Sequence, residues 1–176
     1  MLIEIEGMNH TGKTTLVAAL AAKGYNTHKF ERTEENPIVQ MYTHHLSLAA
    51  DPKLWVIDRG HGTEWVMSNI LSRQVPYTQL AFWTLDENLS QLDTVIVFLW
   101  APNSVIQKRI TNTGRMWEAP YPFLVSTWEM FLMGTQCHVV TLDGSQPIDD
   151  LVDQFEQQVM FLFFTQKGRR DEQAGS

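Results

Sequence analysis

Cysteine is nearly absent from this sequence: Cys137 is the one cysteine in 176 residues. A lone thiol closes no internal disulfide, and the apolar residues around Cys137 mark it as a buried, inert side chain. No apolar run reaches the length that crosses a bilayer. The N-terminus sets no basic segment ahead of an apolar one, as a secretory leader does; Met1-Leu2-Ile3-Glu4 runs straight into a strand. Together these absences lead us to expect a cytoplasmic protein with no membrane partner. Basic charge is scarce as well: 13 Lys and Arg stand against 20 Asp and Glu, a net charge of −7. Proteins that grip a long nucleic acid usually carry a basic face. The balance argues against such a partner while leaving room for a local basic site.

Internal repeats and internal domain boundaries are also missing. The hydrophobic fraction of 44% and charged fraction of 19% describe a globular chain. We expect one domain over residues 1–165 and a polar, disordered tail over 166–176.

Against that background one stretch stands out. Gly7-Met8-Asn9-His10-Thr11-Gly12-Lys13-Thr14-Thr15 has the form G-x-x-x-x-G-K-[ST]. A short apolar strand precedes it and a helical run, Leu16 to Lys23, follows. In that context the motif is a phosphate cradle. The glycines let the backbone turn its N–H groups inward, and the loop delivers phosphates to a helix N-terminus. Residues Gly7 and Asn9 to Thr15 are therefore the expected ATP-binding loop. Lys13 reaches the β/γ-phosphates, and the Thr14 hydroxyl ligates Mg²⁺.

A second strand is expected over Tyr25 to Phe30, ending in the polar cluster Glu31 to Asn36. In an open parallel sheet, ligands bind beyond the carboxyl ends of the strands. Glu31 and Arg32 are thus candidates for contacts with a phosphate acceptor, and equally for a solvated loop. Helix 37–50 follows, carrying His44 and His45 as surface or packing residues. Leu54 to Ile57 is a short apolar strand ending in Asp58-Arg59. A carboxylate at that position lies near Mg²⁺ in phosphate-loop proteins, and Arg59 adds a planar donor for a phosphate.

Helices are expected over 61–72 and 77–89. Trp65, on the first, is either a stacking platform for a base or a core aromatic. Thr94 to Trp100 is the clearest buried strand, and Ala101-Pro102 opens the next helix. Arg109 and Arg115 flank the turn that closes this helix; they are either lid arginines that clamp phosphates or solvated helix-end charge. A helix over 122–134, a strand over 137–142 and a last helix over 148–164 complete the chain. The end of that helix, Met160 to Phe164, is apolar all round, which suits a buried end or a self-association surface. Five strands alternating with helices argue an α/β fold with a mostly parallel sheet.

The stretch Ile5 to Thr15, then Asp58-Arg59, then the strand and helix from Val95 to Arg115, resembles the thymidylate kinase family. More broadly it is similar to the P-loop nucleoside and nucleoside-monophosphate kinases. The order and spacing match over about residues 1–160, and the compact loops with Asn9-His10-Thr11 look like the short kinases of bacteriophages. The resemblance implies a five-stranded parallel sheet with helices on both faces, the P-loop nucleotide kinase fold. It implies catalytic roles for Lys13, Asp58, Arg59, Arg109 and Arg115, Mg²⁺ at Thr14 and Asp58, and a homodimer. It also implies acceptor contacts at Asn9 and Arg59; Glu31, Arg32 and Trp65 are acceptor candidates from their positions alone. Three departures stand on the acceptor side. Asn9 replaces the usual Asp, residues 31–37 depart from the family's Arg-Glu-Pro-Gly-Gly type, and no aromatic follows Arg59.

The function expected from this resemblance is ATP-dependent phosphoryl transfer to a deoxynucleoside monophosphate, thymidylate or a related, even modified, pyrimidine nucleotide. One alternative is a kinase acting on a hydroxyl, of a nucleoside or of a modified base or 5′ end in DNA, with Glu31 as general base. Another is an ATP-binding module without catalysis.

Overall fold

The computed structural model describes residues 1–29, 37–71, 79–113 and 120–164. The strands are β1 (Leu2–Gly7), β2 (Asn26–Lys29), β3 (Trp55–Asp58), β4 (Val95–Trp100) and β5 (His138–Asp143). The helices are α1 (Lys13–Ala22), α2 (Pro37–Ala50), α3 (His61–Ile70), α4 (Gln79–Gln91), α5 (Asn103–Thr113), α6 (Tyr121–Gly134) and α7 (Ile148–Phe155). Among the described residues the strands form one sheet in the order β2-β3-β1-β4-β5. All four pairings are parallel. Both the five strands and their parallel pairing are as the sequence leads one to expect.

The centre of the sheet is apolar because it is covered twice. One cluster, including Ile57, Phe82, Ile96, Trp128 and Phe131, lies on the side of α2 to α6. The other, including Ile3, Ile5, Leu16, Leu20, Val97 and Phe155, lies on the side of α1 and α7. Strand β1 is buried along its whole length, and β4 up to Leu99. Cys137 is buried, and burial pushes its thiol above the usual range, in keeping with an inert side chain.

Two glutamates share that buried central strand. Glu4 and Glu6 are 0% exposed. The alternation Ile3-Glu4-Ile5-Glu6 resembles a half-solvated strand, but here the polar face is covered too. It is tolerated because the segment after β3 folds onto the carboxylates. Glu4 accepts from the His61 backbone N–H at 3.2 Å and meets its ring Nδ1 at 2.5 Å. The other ring nitrogen lies 2.8 Å from Asp86 on α4. Asp86 in turn accepts from the Thr135 hydroxyl and the Gln136 backbone N–H. Burial works against charge on His61, but Glu4 and Asp86 outweigh it and raise the imidazole to about 10. His61 is thus an imidazolium between two carboxylates. His45, also 0% exposed, goes the other way: burial lowers it to about 4.

Element boundaries differ from expectation in two places. The helix after β4 starts at Asn103, with the Pro102 carbonyl accepting from Val105 and Ile106, so Pro102 precedes the helix instead of opening it. The last helix is interrupted by a π-helical turn, Glu156–Met160. Its first residue is held from outside, by Lys23 Nζ at 2.9 Å and the Tyr25 hydroxyl at 3.2 Å. Beyond it Phe161 and Phe164 are exposed, while Leu162 and Phe163 pack on the α1/α7 cluster. No helix among the described residues is long and apolar enough to cross a membrane.

Candidate functional site

The register of the sheet brings two sequence features to one end. Ile5 of β1 pairs with Asp58, the last residue of β3, and Gly7 pairs with Leu99 of β4. The loop 7–12 therefore leaves the centre of the sheet between the ends of its two neighbours. The loop can turn there because Gly7 and Gly12 take positive φ, 136° and 105°. At Gly7 a methyl group would also overlap the Leu99 carbonyl oxygen. His10 adopts the left-handed region as well, at φ 65°. Helix α1 starts at Lys13, so its first N–H groups open at the loop.

Lys13 is buried, and its ammonium donates to the carbonyls of Gly7 and Met8 at 2.8 and 2.7 Å. Thr14 is exposed, and its hydroxyl donates to Asp58 Oδ2 at 2.8 Å. Asp58 is 3% exposed, and its Oδ1 has no hydrogen-bond partner among the described residues. A buried carboxylate oxygen without a donor is costly unless a cation satisfies it. Together with the Thr14 hydroxyl it offers Mg²⁺ two hard oxygen ligands. The donor set fits that ion, and the glycine loop fits a polyphosphate.

Arg59 directly follows Asp58 and has φ 74°. That backbone is strained for a residue with a Cβ. The Arg59 guanidinium reaches Asn9, whose Oδ1 lies 3.4 Å from Nη2. Both residues border a shallow hollow, partly open to solvent. Its other walls are Gly7, Met8, Thr63, Met67, Leu124 and Trp128. An apolar and aromatic bed with a few convergent polar groups is the usual make-up of a small-molecule site.

The Arg109 guanidinium meets the loop 7–12, donating to the His10 carbonyl at 2.8 Å and to the Gly144 carbonyl, in the turn after β5, at 2.9 Å. Gly144, in the turn after β5, presses on Thr11 so closely that a methyl there would overlap the Thr11 carbonyl. Trp65 lies in the aromatic core with Phe82, Trp83 and Phe131 and is 7% exposed. The aromatic that borders the hollow is Trp128, on the helix expected over 122–134. No motif marks Trp128, Thr63, Met67 or Leu124 as lining residues. Glu31, Arg32 and Arg115 lie outside the described residues, as do residues 166–176.

The fold as a whole is similar to that of known structures. A YorR protein from Bacillus subtilis, solved with phosphorylated GDP, superposes with a TM-score of 0.72. The fold is that of the P-loop kinases. That similarity covers 96% of this chain and 98% of the other at 19% identity. A deoxyadenosine kinase from M. mycoides, solved with dCMP and dCDP, has a TM-score of 0.60 at 18% identity, over 92% of this chain and all of its own. A gluconokinase from Sinorhizobium meliloti has a TM-score of 0.52 at 17% identity, over 93% and 95% of the two chains. No protein-family model matches the sequence, and no curated protein matches it.

Proposed function

We propose that this chain is an ATP-dependent phosphotransferase that carries the γ-phosphoryl group to a deoxynucleoside monophosphate, a pyrimidine or modified pyrimidine nucleotide. The observation that carries the reading is the adjacency of Asp58 and Arg59. One side chain joins Thr14 at the phosphate loop, and the next turns into the hollow beside Asn9. Two ligand sites thus meet at consecutive residues.

Phosphoryl transfer asks for positioning and charge neutralisation more than for covalent help. Lys13 supplies a cation to the donor phosphates by exchanging its two loop carbonyls for phosphate oxygens. Thr14 and Asp58 would hold Mg²⁺, which would supply positive charge against the donor phosphates. Arg109 keeps the loop in shape by tying His10 to Gly144. Arg59 orients the acceptor phosphate, with Asn9 holding its guanidinium. Trp128, Leu124 and Met67 bed the base and keep water from its face.

The similarity to a deoxyadenosine kinase and a gluconokinase favours a second reading, in which the acceptor is a hydroxyl of a nucleoside or sugar. An ADP-release screen over nucleoside monophosphates, nucleosides and gluconate separates the two. Turnover with monophosphates alone is the expected outcome. Turnover with nucleosides alone moves the acceptor to a hydroxyl, and turnover with nothing in the screen overturns both readings.

A further inference from the structure

Glu6 is fully buried at the end of β1, one residue ahead of the phosphate loop. Its two carboxylate oxygens have different partners. Oε1 accepts from the backbone N–H of Gly60 and of Thr63, both at 2.9 Å. Oε2 accepts from the Thr63 hydroxyl. Thr63 is half-buried and borders the hollow alongside Asn9, Arg59 and Trp128. A threonine hydroxyl has one hydrogen and two lone pairs. With the hydrogen committed to Glu6, what the hydroxyl has left to offer is its lone pairs.

We propose that Thr63 is a specificity-determining residue of the acceptor hollow, held by Glu6 as a hydrogen-bond acceptor, so that the hollow selects a nucleobase presenting an N–H donor there. The inference rests on the reading of the hollow as the acceptor site. Trp128, Leu124 and Met67 suit the flat faces of a base, and Thr63 is a polar residue in the same lining, with Asn9 and Arg59, available to a base edge. A ring N–H or an exocyclic amine completes the bond. A carbonyl oxygen or bare ring nitrogen meets lone pairs and is left unpaired, which is the kind of mismatch a polar site rejects most strongly.

Glu6→Gln reverses this polarity without changing the shape. The amide oxygen takes the place of Oε1 and keeps both backbone bonds. The amide nitrogen takes the place of Oε2 and donates to Thr63 Oγ1, which releases the threonine hydrogen toward the hollow. The measurement is the ratio of kcat/KM for dCMP and dUMP, which exchange donor and acceptor along one edge. Because it is a ratio, any loss common to both substrates cancels.

At pH 8 the wild type is expected to favour one of the pair. Glu6→Gln shifts the ratio toward the other by about tenfold or more, Thr63→Val brings it near one, and Thr63→Ser keeps it. Burial and the charge of Glu4 push Glu6 up to about 7, against the Thr63 bonds and His61. The charged groups around it are Glu4 on its own strand, His61 on α3 and Arg59 in the turn before α3. Beyond them stand His45 on α2, which faces Glu4, and Asp86 on α4, which faces His61. A protonated Glu6 donates to Thr63 as Gln does. The wild-type ratio therefore drifts toward the Glu6→Gln value from pH 8 to pH 6, while the variant's stays level.

An unchanged ratio in active Glu6→Gln and Thr63→Val proteins overturns the proposal. If Glu6→Gln does not fold, the Thr63→Val and Thr63→Ser pair decides alone. Wild-type turnover of neither nucleotide, nor of any other acceptor, would instead remove the functional reading itself.

Discussion

The Thr14 hydroxyl donates to Asp58 Oδ2 at 2.8 Å, joining the first turn of α1 to the last residue of β3. The bond leaves Asp58 Oδ1 buried and without a hydrogen-bond partner among the described residues. If the pair holds Mg²⁺, Thr14→Ala and Asp58→Asn each lower kcat by about 10²–10³-fold. They also raise the Mg²⁺ concentration needed for half-maximal rate. Thr14→Ser retains the hydroxyl and both properties. A Mg²⁺ titration of the rate checks this; an unaltered Mg²⁺ requirement in Asp58→Asn would remove Asp58 from the metal site.

The phosphate loop has no room for a side chain at its first residue. Gly7 combines φ of 136° with a close approach to the Leu99 carbonyl. Gly7→Ala is expected to lose about 2–3 kcal/mol, from backbone strain and from forcing β1 and β4 apart. Gly24 also has positive φ but open space around it. Gly24→Ala is expected to cost only about 1 kcal/mol. Urea unfolding of the two variants gives the comparison, and equal losses would mean that strain alone matters.

Arg109 spans two loops with one planar group, a geometry that lysine does not reproduce. Arg109→Lys retains one of the two carbonyl bonds, to His10 or to Gly144. We expect KM for ATP to rise about tenfold, the equivalent of one lost charged hydrogen bond of about 1.5 kcal/mol. KM for the acceptor should move less. A larger effect on the acceptor than on ATP would place Arg109 in the acceptor half.

His61 carries its charge between Glu4 and Asp86, all three in the core. His61→Gln leaves two carboxylates facing a neutral group and is expected to lose about 3–5 kcal/mol. Adding Glu4→Gln removes one of those charges and restores part of the loss, a coupling that a double-mutant cycle reads directly. The pH dependence has a defined sign. His61 is raised to about 10, so its contribution is complete below about 6.5 and is lost as the pH rises toward 10. Glu6, raised to about 7, acts in the same sense between 4.5 and 7. His45, lowered to about 4, acts in the opposite sense: its contribution is complete above 6.5 and is lost toward pH 4. Unfolding midpoints from pH 7 to 10 should therefore fall for the wild type and stay nearly flat for His61→Gln. The same slope in both would mean that another group titrates.

The sheet was legible because its signals are local. Apolar strands, glycine turns and the G-x-x-x-x-G-K-[ST] spacing read directly along the chain, and the order of elements then gives parallel pairing. The Thr14–Asp58 pair was legible for a related reason, since strand ends in a parallel sheet gather at one edge. The acceptor side was not. Trp128 and Trp65 both sit on amphipathic helices, and no pattern within either helix says which one borders a hollow. That depends on how α3 and α6 pack, with Gly62 admitting Phe131 between them. Arg109 reads as a lid residue because it lies near the end of a helix before a glycine. Its partners, His10 and Gly144, are 99 and 35 residues away. Glu4 and Glu6 look like the wet side of a strand because the groups that hydrogen-bond to them, Gly60, His61 and Thr63, lie more than fifty residues away.

Those two glutamates also bear on how the chain reaches this fold. Strand β1 is synthesised first, yet its neighbours in the sheet begin at Trp55 and Val95. Until then Leu2-Ile3-Glu4-Ile5-Glu6 is an extended apolar segment with no partner of its own. Long-range pairing of this kind is slow, and a waiting β-prone segment is where chains stick to one another. In the unfolded chain both carboxylates are solvated and charged at neutral pH. Two negative charges in five residues make the segment a poor template for stacking against a second copy. The acids that the folded core accommodates with His61, Gly60 and Thr63 are thus also what keeps the nascent strand soluble until those residues have been made.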